Sequence, residues 1–310
     1  MIAPHLPMIA PRLSGDVVLM PATAGELVQG TIDGIHIHVS APIDRFSAAV
    51  FFPDDRPLTG PPGRSKALAA LQLLLRNVGL PERGRVGLWS GVPAGKGLGS
   101  STADIGATLF SAAALHRIAL SPMEAARLAL AVEPTDGSIF PGIVAFDHRE
   151  GRFLEPLGEA PPVAVVLLDP GGTVDTVAFN AIDRAALLAR NEPITREAFA
   201  LARAGVRASD VRLLGEASTL SARAHQAVLP KPLLEPAIAA GQRLGAAGVC
   251  VAHSGTALGI LFDARRDDLQ AATATLAARL GCPSRLVRLV SGGPRLLSRA
   301  VATGAAPGLS

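Results

Sequence analysis

The chain has 310 residues, 49% hydrophobic and 18% charged, enough to bury a large core and to build two domains, which excludes global disorder. Its net charge of +3 comes from scattered arginines without a basic run, and aromatics are 4% with no Tyr, so nucleic acid is not an expected partner. The two cysteines, Cys250 and Cys282, belong to no CxxC pair or His/Cys cluster, which argues against a structural zinc and for free core thiols in a reducing, cytoplasmic compartment.

Residues 1–15 hold three prolines and no basic start before an apolar block, which predicts a flexible leader. Residues 301–310 predict a frayed tail. No apolar stretch approaches membrane-spanning length, so no membrane partner is expected. Strands are predicted at 16–20, 34–40 and 47–52. In the second, Ile35, Ile37 and Val39 alternate with His36 and His38. These histidines have no third ligand nearby in sequence and read as half-exposed strand positions. A Pro/Asp/Gly-rich loop covers 53–63, and an Ala/Leu-rich helix covers 65–77. A strand at 85–90 leads through a glycine-rich loop into a helix at 101–116. Ser121-Pro122-x-Glu124 is a capping box opening a helix that runs to 132.

Gly151, Pro156, Gly158, Pro161 and Pro162 crowd together and predict a domain boundary there, giving domains at 16–155 and 156–300. Beyond it come a buried strand at 163–168 and helices at 181–190, 195–205, 209–228 and 233–245. Strands at 248–253 and 257–262 join at Ser254-Gly255-Thr256, and a helix at 267–280 and a strand at 285–290 follow. The pattern is mixed α+β.

The informative segment is Gly91-Val-Pro-Ala-Gly95-Lys96-Gly97-Leu98-Gly99-Ser100-Ser101-Thr102. Glycines between a strand and a helix let backbone N–H groups close on an anion, and the helix N-terminus adds unpaired donors. Phosphate is the natural guest, with the hydroxyls of Ser100, Ser101 and Thr102 beside it. The spacing fits neither a Walker A loop, because Gly91 lies one residue too close to Gly95-Lys96 and Gly97 follows the lysine, nor a dinucleotide loop, because Gly95 and Gly97 are followed by Ser100. Lys96, one of three lysines against 26 arginines, offers a compact point charge to phosphate. Glu133-Pro134-Thr135-Asp136-Gly137 puts two carboxylates after a helix, a pattern that ordinary turn chemistry also explains.

Pro93-x-Gly95-x-Gly97-Leu98-Gly99-Ser100-Ser101-Thr102-Ala103 resembles the signature loop of the GHMP kinases (galactokinase, homoserine kinase, mevalonate kinase and phosphomevalonate kinase). Two further segments resemble that family in the right order: Pro21-Ala-Thr23-Ala24-Gly25-Glu26-Leu27-Val28-Gln29-Gly30 and His253-Ser254-Gly255-Thr256-Ala257-Leu258-Gly259. Within it, Lys96, Asp104-Ile105 and Glu133-Pro134-Thr135-Asp136 look most like the L-threonine kinases of cobalamin synthesis and propanediol utilisation. Ala24 and Gly99 depart from that branch, where Cys and often Ala are expected.

The resemblance implies a two-domain fold, an N-terminal domain like domain 2 of ribosomal protein S5 and a ferredoxin-like C-terminal domain, with the site in the cleft. It implies ATP and Mg²⁺ as cofactors. Asp136 and Lys96 are the implied catalytic residues. Pro93, Gly95, Lys96, Gly97, Leu98, Gly99, Ser100, Ser101 and Thr102, with Ser254 and Gly255, would hold the nucleotide. Ser101 and Glu133 would hold the metal, and Thr23, Glu26, Gln29 and Asp136 would face the acceptor. The implied acceptor is L-threonine or a similar hydroxy amino acid, and the protein is expected as a monomer or homodimer. Homoserine, serine or ethanolamine are alternative acceptors, and a nucleotide-binding sensor without transfer is an alternative class.

Overall fold

Two long antiparallel strands carry the architecture. β1 (Val17–Ile32) and β2 (Ile35–Pro57) are joined by Asp33-Gly34, both with positive φ, a tight hairpin turn. The computed structural model describes residues 16–174, 179 and 182–297; the expected leader 1–15 and tail 301–310 lie outside them.

After the hairpin come α1 (Ser65–Asn77), β3 (Arg83–Ser90), α2 (Ser100–His116), α3 (Pro122–Leu130), β4 (Ile143–Phe146), β5 (Leu154–Gly158) and β6 (Val163–Leu168). The second half continues with α4 (Ala185–Ala208), α5 (Val211–His225), α6 (Leu234–Arg243), β7 (Gly248–Val251), β8 (Leu258–Asp263), α7 (Leu269–Leu280), β9 (Ser284–Arg288) and β10 (Arg295–Leu297). The strands form one sheet in the order β5-β4-β2-β1-β7-β8-β6-β9, with β10 also on β1 and β3 also on β2. The two halves meet where Glu26 of β1 pairs with Val251 of β7.

The first half packs α1, α2 and α3 around Met20, Leu71, Leu75, Ile105, Leu109 and Phe146. α2 is buried on nearly every side, as its small and apolar residues require. In the second half, α4 and α5 close over β1 through Ala198, Phe199, Leu214 and Ala217, while α6 and α7 cover Ile260 and Phe262 of β8. α3 carries the expected capping box, with Ser121 N donating to Glu124 Oε2 and Glu124 N donating to Ser121 Oγ.

Several expectations are corrected. The predicted strand 16–20 is the first part of β1, which also carries the segment 21–30 in extended form. Register shifts at Pro21/Thr23, Thr23/Glu26 and Glu26/Val28 bend it, as bulges beside functional sites do. The predicted helices 181–190 and 195–205 are one helix over the described residues, α4, which runs through Pro193 and loses one backbone donor there. β4, β5 and β10 were not expected. Cys250 is buried and Cys282 half-buried, both free. Among the described residues no helix is long and apolar enough to cross a membrane.

Candidate active site

The loop after β3 brings the three motif segments together. Gly97, with φ near +74, lies where a side chain would strike Ala252 Cβ at 2.5 Å and Gly255 Cα at 2.9 Å. A Cβ on Gly255 would stand 2.1 Å from Lys96 O, so the two loops touch backbone to backbone. Lys231, buried, donates from Nζ to Gly255 O at 2.8 Å and holds the second loop from behind. Thr23 N donates to Leu98 O at 2.9 Å and ties β1 to the first loop.

α2 begins at Ser100 without a side-chain cap, so its first N–H groups are left for an anion in the pocket that Gly95, Gly97, Gly99, Ser100, Ser101 and Thr102 line. This pocket encloses about 280 Å³. Leu98 and Ser254 line it as expected. Pro93, Lys96, Gly255 and Thr23 are not in its lining. The Lys96 ammonium donates to Asp169 Oδ1 and Gly172 O, both at 2.8 Å. Pairing with Lys96 holds the Asp169 carboxyl below its usual range.

Two carboxylates follow α3 as expected. Ser101 Oγ donates to Glu133 Oε1, and Glu133 Oε2 receives Lys66 Nζ at 2.5 Å. A hydroxyl and a carboxylate oxygen in contact at the mouth of a phosphate pocket are the hard donors that Mg²⁺ takes, and they fit it. Asp136 N donates to Thr102 Oγ1 at 3.1 Å, which sets the residue against the start of α2. Its Oδ2 and Thr23 Oγ1 crowd Gly99, at 2.7 and 2.8 Å from where a Cβ would sit. Burial first, then the charge of Glu133, pushes the Asp136 carboxyl up to about 6.

Glu26 is 3% exposed, and its Oε2 has no hydrogen-bond partner among the described residues. Burial, then the charge of Asp136, raises its carboxyl well above the usual range. Glu26, His38 and Asp136 each bring one donor atom within 4.8 Å of the others, an arrangement that suits a cation. Gln29 lines a neighbouring cavity of about 310 Å³ with Arg149, Arg184, His36 and His225.

Sequence reasoning missed several residues. Arg64 and Lys66, at the start of α1, line the phosphate pocket. Asp104, also in its lining, is buried inside α2, receives Ser47 Oγ at 2.6 Å and pairs with Arg64. An acid in a helix of small and apolar residues was the available signal.

Five of the chain's seven histidines, His36, His38, His148, His225 and His253, form one cluster. His38 is 2% exposed, not half-exposed as its strand pattern suggested, because β4 and the loops around His148 and His253 cover that face. His38 and His253 line both cavities and form the wall between them. His38, His148 and His253 bring ring nitrogens within 4.8 Å of one another. However, the His38 and His148 rings stack at 3.5 Å with an interplanar angle of 11°. A lone pair lies in its ring plane, so the stacked pair cannot aim at one ion. Burial and mutual repulsion hold all three rings neutral.

Residues 65–143 match the family model described as the GHMP kinases N terminal domain, and residues 202–279 match GHMP kinases C terminal. The L-threonine kinase of Salmonella typhimurium is 31% identical over 300 residues, covering 92% of this chain and 97% of that protein. The L-threonine kinase of Citrobacter freundii is 32% identical over 286 residues, covering 90% and 99%. In fold, the chain is similar to a homoserine kinase from Cytophaga hutchinsonii, with a TM-score of 0.69 at 15% identity, covering 93% of this chain and 99% of that one. It is also similar to the Methanococcus jannaschii mevalonate kinase, with a TM-score of 0.68 at 14% identity, covering 90% and 100%.

Proposed function

The chain belongs to the GHMP kinases, and we propose that it transfers the terminal phosphoryl group of ATP to the side-chain hydroxyl of L-threonine. The products are O-phospho-L-threonine and ADP. The observation that carries this reading is the pairing of two carboxyl groups, the buried Glu26 and the half-buried Asp136, beside the uncapped start of α2.

Phosphoryl transfer is mostly positioning and charge stabilisation. The N–H groups at the start of α2 and the hydroxyls of Ser100 and Ser101 receive the phosphates. Ser101 and Glu133 would hold Mg²⁺, which supplies charge neutralisation on the phosphate oxygens when bound. Arg64, fixed by Asp104, and Lys66, fixed by Glu133, add cationic charge at the same pocket. Lys96 braces the loop from outside through Asp169.

Asp136 is the base. The threonine oxygen attacks the terminal phosphorus, the bond from that phosphorus to the bridging oxygen breaks, and the hydroxyl proton passes to the Asp136 carboxylate. A carboxyl held near 6 is ionised at neutral pH and still a better proton acceptor than an ordinary aspartate. Glu26 takes the substrate ammonium. Its buried carboxyl is raised well above the usual range and is drawn toward its ionised form when a cation arrives, giving a charge-assisted contact. The same reading sends the product toward the aminopropanol arm of cobalamin and puts the protein in the cytoplasm.

The test is incubation with Mg-ATP and L-threonine and detection of O-phospho-L-threonine by mass. Asp136→Asn is expected to abolish the product while ATP still binds. Wild-type protein that makes no phosphothreonine refutes the reading.

A further inference from the structure

His253 stands at the junction of the two cavities. The hydrogen bonds around its ring allow one solution. Its Nδ1 lies 2.7 Å from Gln29 Oε1. An amide oxygen only accepts, so Nδ1 carries the proton. The Gln29 amide cannot be turned over, because its Nε2 donates to Val251 O at 3.3 Å. In a neutral ring, Nε2 is then a bare lone pair. That atom is buried and has no partner among the described residues.

Both residues are clamped from behind. Gln29 N donates to Ser221 Oγ at 2.9 Å, from α5. His225 Nε2, also on α5, donates to the His253 carbonyl at 2.9 Å, since a carbonyl only accepts. An unmet buried acceptor is costly, so a fold that fixes one so firmly is prepared for a donor.

We infer that His253 Nε2 accepts a hydrogen bond from the ammonium group of the acceptor amino acid, and that Gln29 is the positioning residue that locks His253 in the tautomer this contact needs. The inference rests on the reading of this pocket as the acceptor site. Among the groups of the substrate, the choice of donor follows by elimination. The substrate hydroxyl gives its proton to Asp136, and the carboxylate has none. The ammonium has three, of which Glu26 takes one. A metal ion is the competing guest of three imidazoles, and the stacking of His38 on His148 is set against it.

The role differs from the expected one, in which Gln29 touches substrate directly. It also explains why a glutamine, with a fixed acceptor and a fixed donor on one amide, stands at this place.

The test compares L-threonine with (R)-3-hydroxybutyrate, which keeps the hydroxyl and the carboxylate and lacks the ammonium. Wild-type kcat/KM is expected to favour threonine strongly. Gln29→Met, close in shape and unable to accept the Nδ1 proton, is expected to shrink that ratio at least about tenfold. The change should lie in KM for threonine, with KM for ATP within about twofold and kcat little altered. His253→Phe, which removes the acceptor itself, is expected to lose it as Gln29→Met does. An unchanged ratio in either variant that still binds ATP overturns the inference and leaves the kinase reading standing. A wild-type protein that phosphorylates only alcohols without an ammonium group removes both.

Discussion

Glu26 on the bent part of β1 and Asp136 after α3 hold carboxyl oxygens within 4.8 Å of each other inside the protein. Burial raises both, and the charge of Asp136 raises Glu26 further. Such a pair is unstable as two anions and stable once a cation lies between them. The pocket is therefore incomplete without a positively charged guest, which an amino acid with a side-chain hydroxyl supplies at the right end.

Threonine binding should release a proton. Burial and the charge of Asp136 raise the Glu26 carboxyl, and an ammonium beside it lowers it again, which draws a proton off. Calorimetry in buffers of different ionisation enthalpy is expected to show proton release on threonine binding. Glu26→Gln should bind threonine about 10- to 100-fold more weakly, release none, and melt higher than wild type near neutral pH, because a carboxyl raised by burial costs the fold wherever the unfolded chain is ionised, the difference vanishing at acid pH.

Asp136→Asn should lower kcat by between about 100- and 10,000-fold. The wild-type rate should fall as pH drops through about 6, where Asp136 takes up its proton. The residual rate of the variant should lack that limb. Stability runs the other way. A carboxyl raised from 3.8 to about 6 costs the fold up to about 3 kcal/mol above that pH and nothing below 3.8. Asp136→Asn should therefore melt higher than wild type at pH 7.5, and the difference should vanish near pH 3.5, read by differential scanning calorimetry.

Gly255→Ala should damage nucleotide binding specifically. Its Cβ would stand 2.1 Å from Lys96 O, a backbone atom that cannot step aside without moving the phosphate loop. ATP affinity measured by titration is expected to fall more than about tenfold, with a stability loss of about 1–3 kcal/mol.

Asp104 should act through Arg64. Asp104→Ala leaves the Ser47 hydroxyl and the Arg64 guanidinium without their partner. A loss of about 3 kcal/mol in urea unfolding is expected. Arg64→Lys should keep most of that stability while raising KM for ATP, since a point charge does not reproduce the planar fork.

Much of this was legible in the residues. The bounds of α1 and β6 could be read directly, one from an Ala/Leu block ended by Gly79 and Pro81, the other from an unbroken apolar run. The phosphate loop announced itself through glycines between a strand and a helix. The extended form of 21–30 did not, because its alternation is interrupted by bulges that turn Thr23 and Glu26. Asp33-Gly34 was a hairpin signal in plain view and was passed over. The histidine cluster was illegible for a different reason. Its members come from β2, α5 and the segments after β4 and β7, and only the sheet order β4-β2-β1-β7 brings them to one wall. The pairing of Lys96 with Asp169 was not legible either, because nothing local in sequence points from one to the other.

The most direct measurement places L-threonine, L-serine, L-homoserine and ethanolamine together at equal concentration with Mg-ATP and the protein, and reads the phosphorylated products by mass. The account predicts O-phospho-L-threonine as the dominant product, with ADP formed in equal amount. Phosphorylation of ethanolamine or homoserine in preference to threonine, or ADP formation with no phosphorylated acceptor, would contradict it.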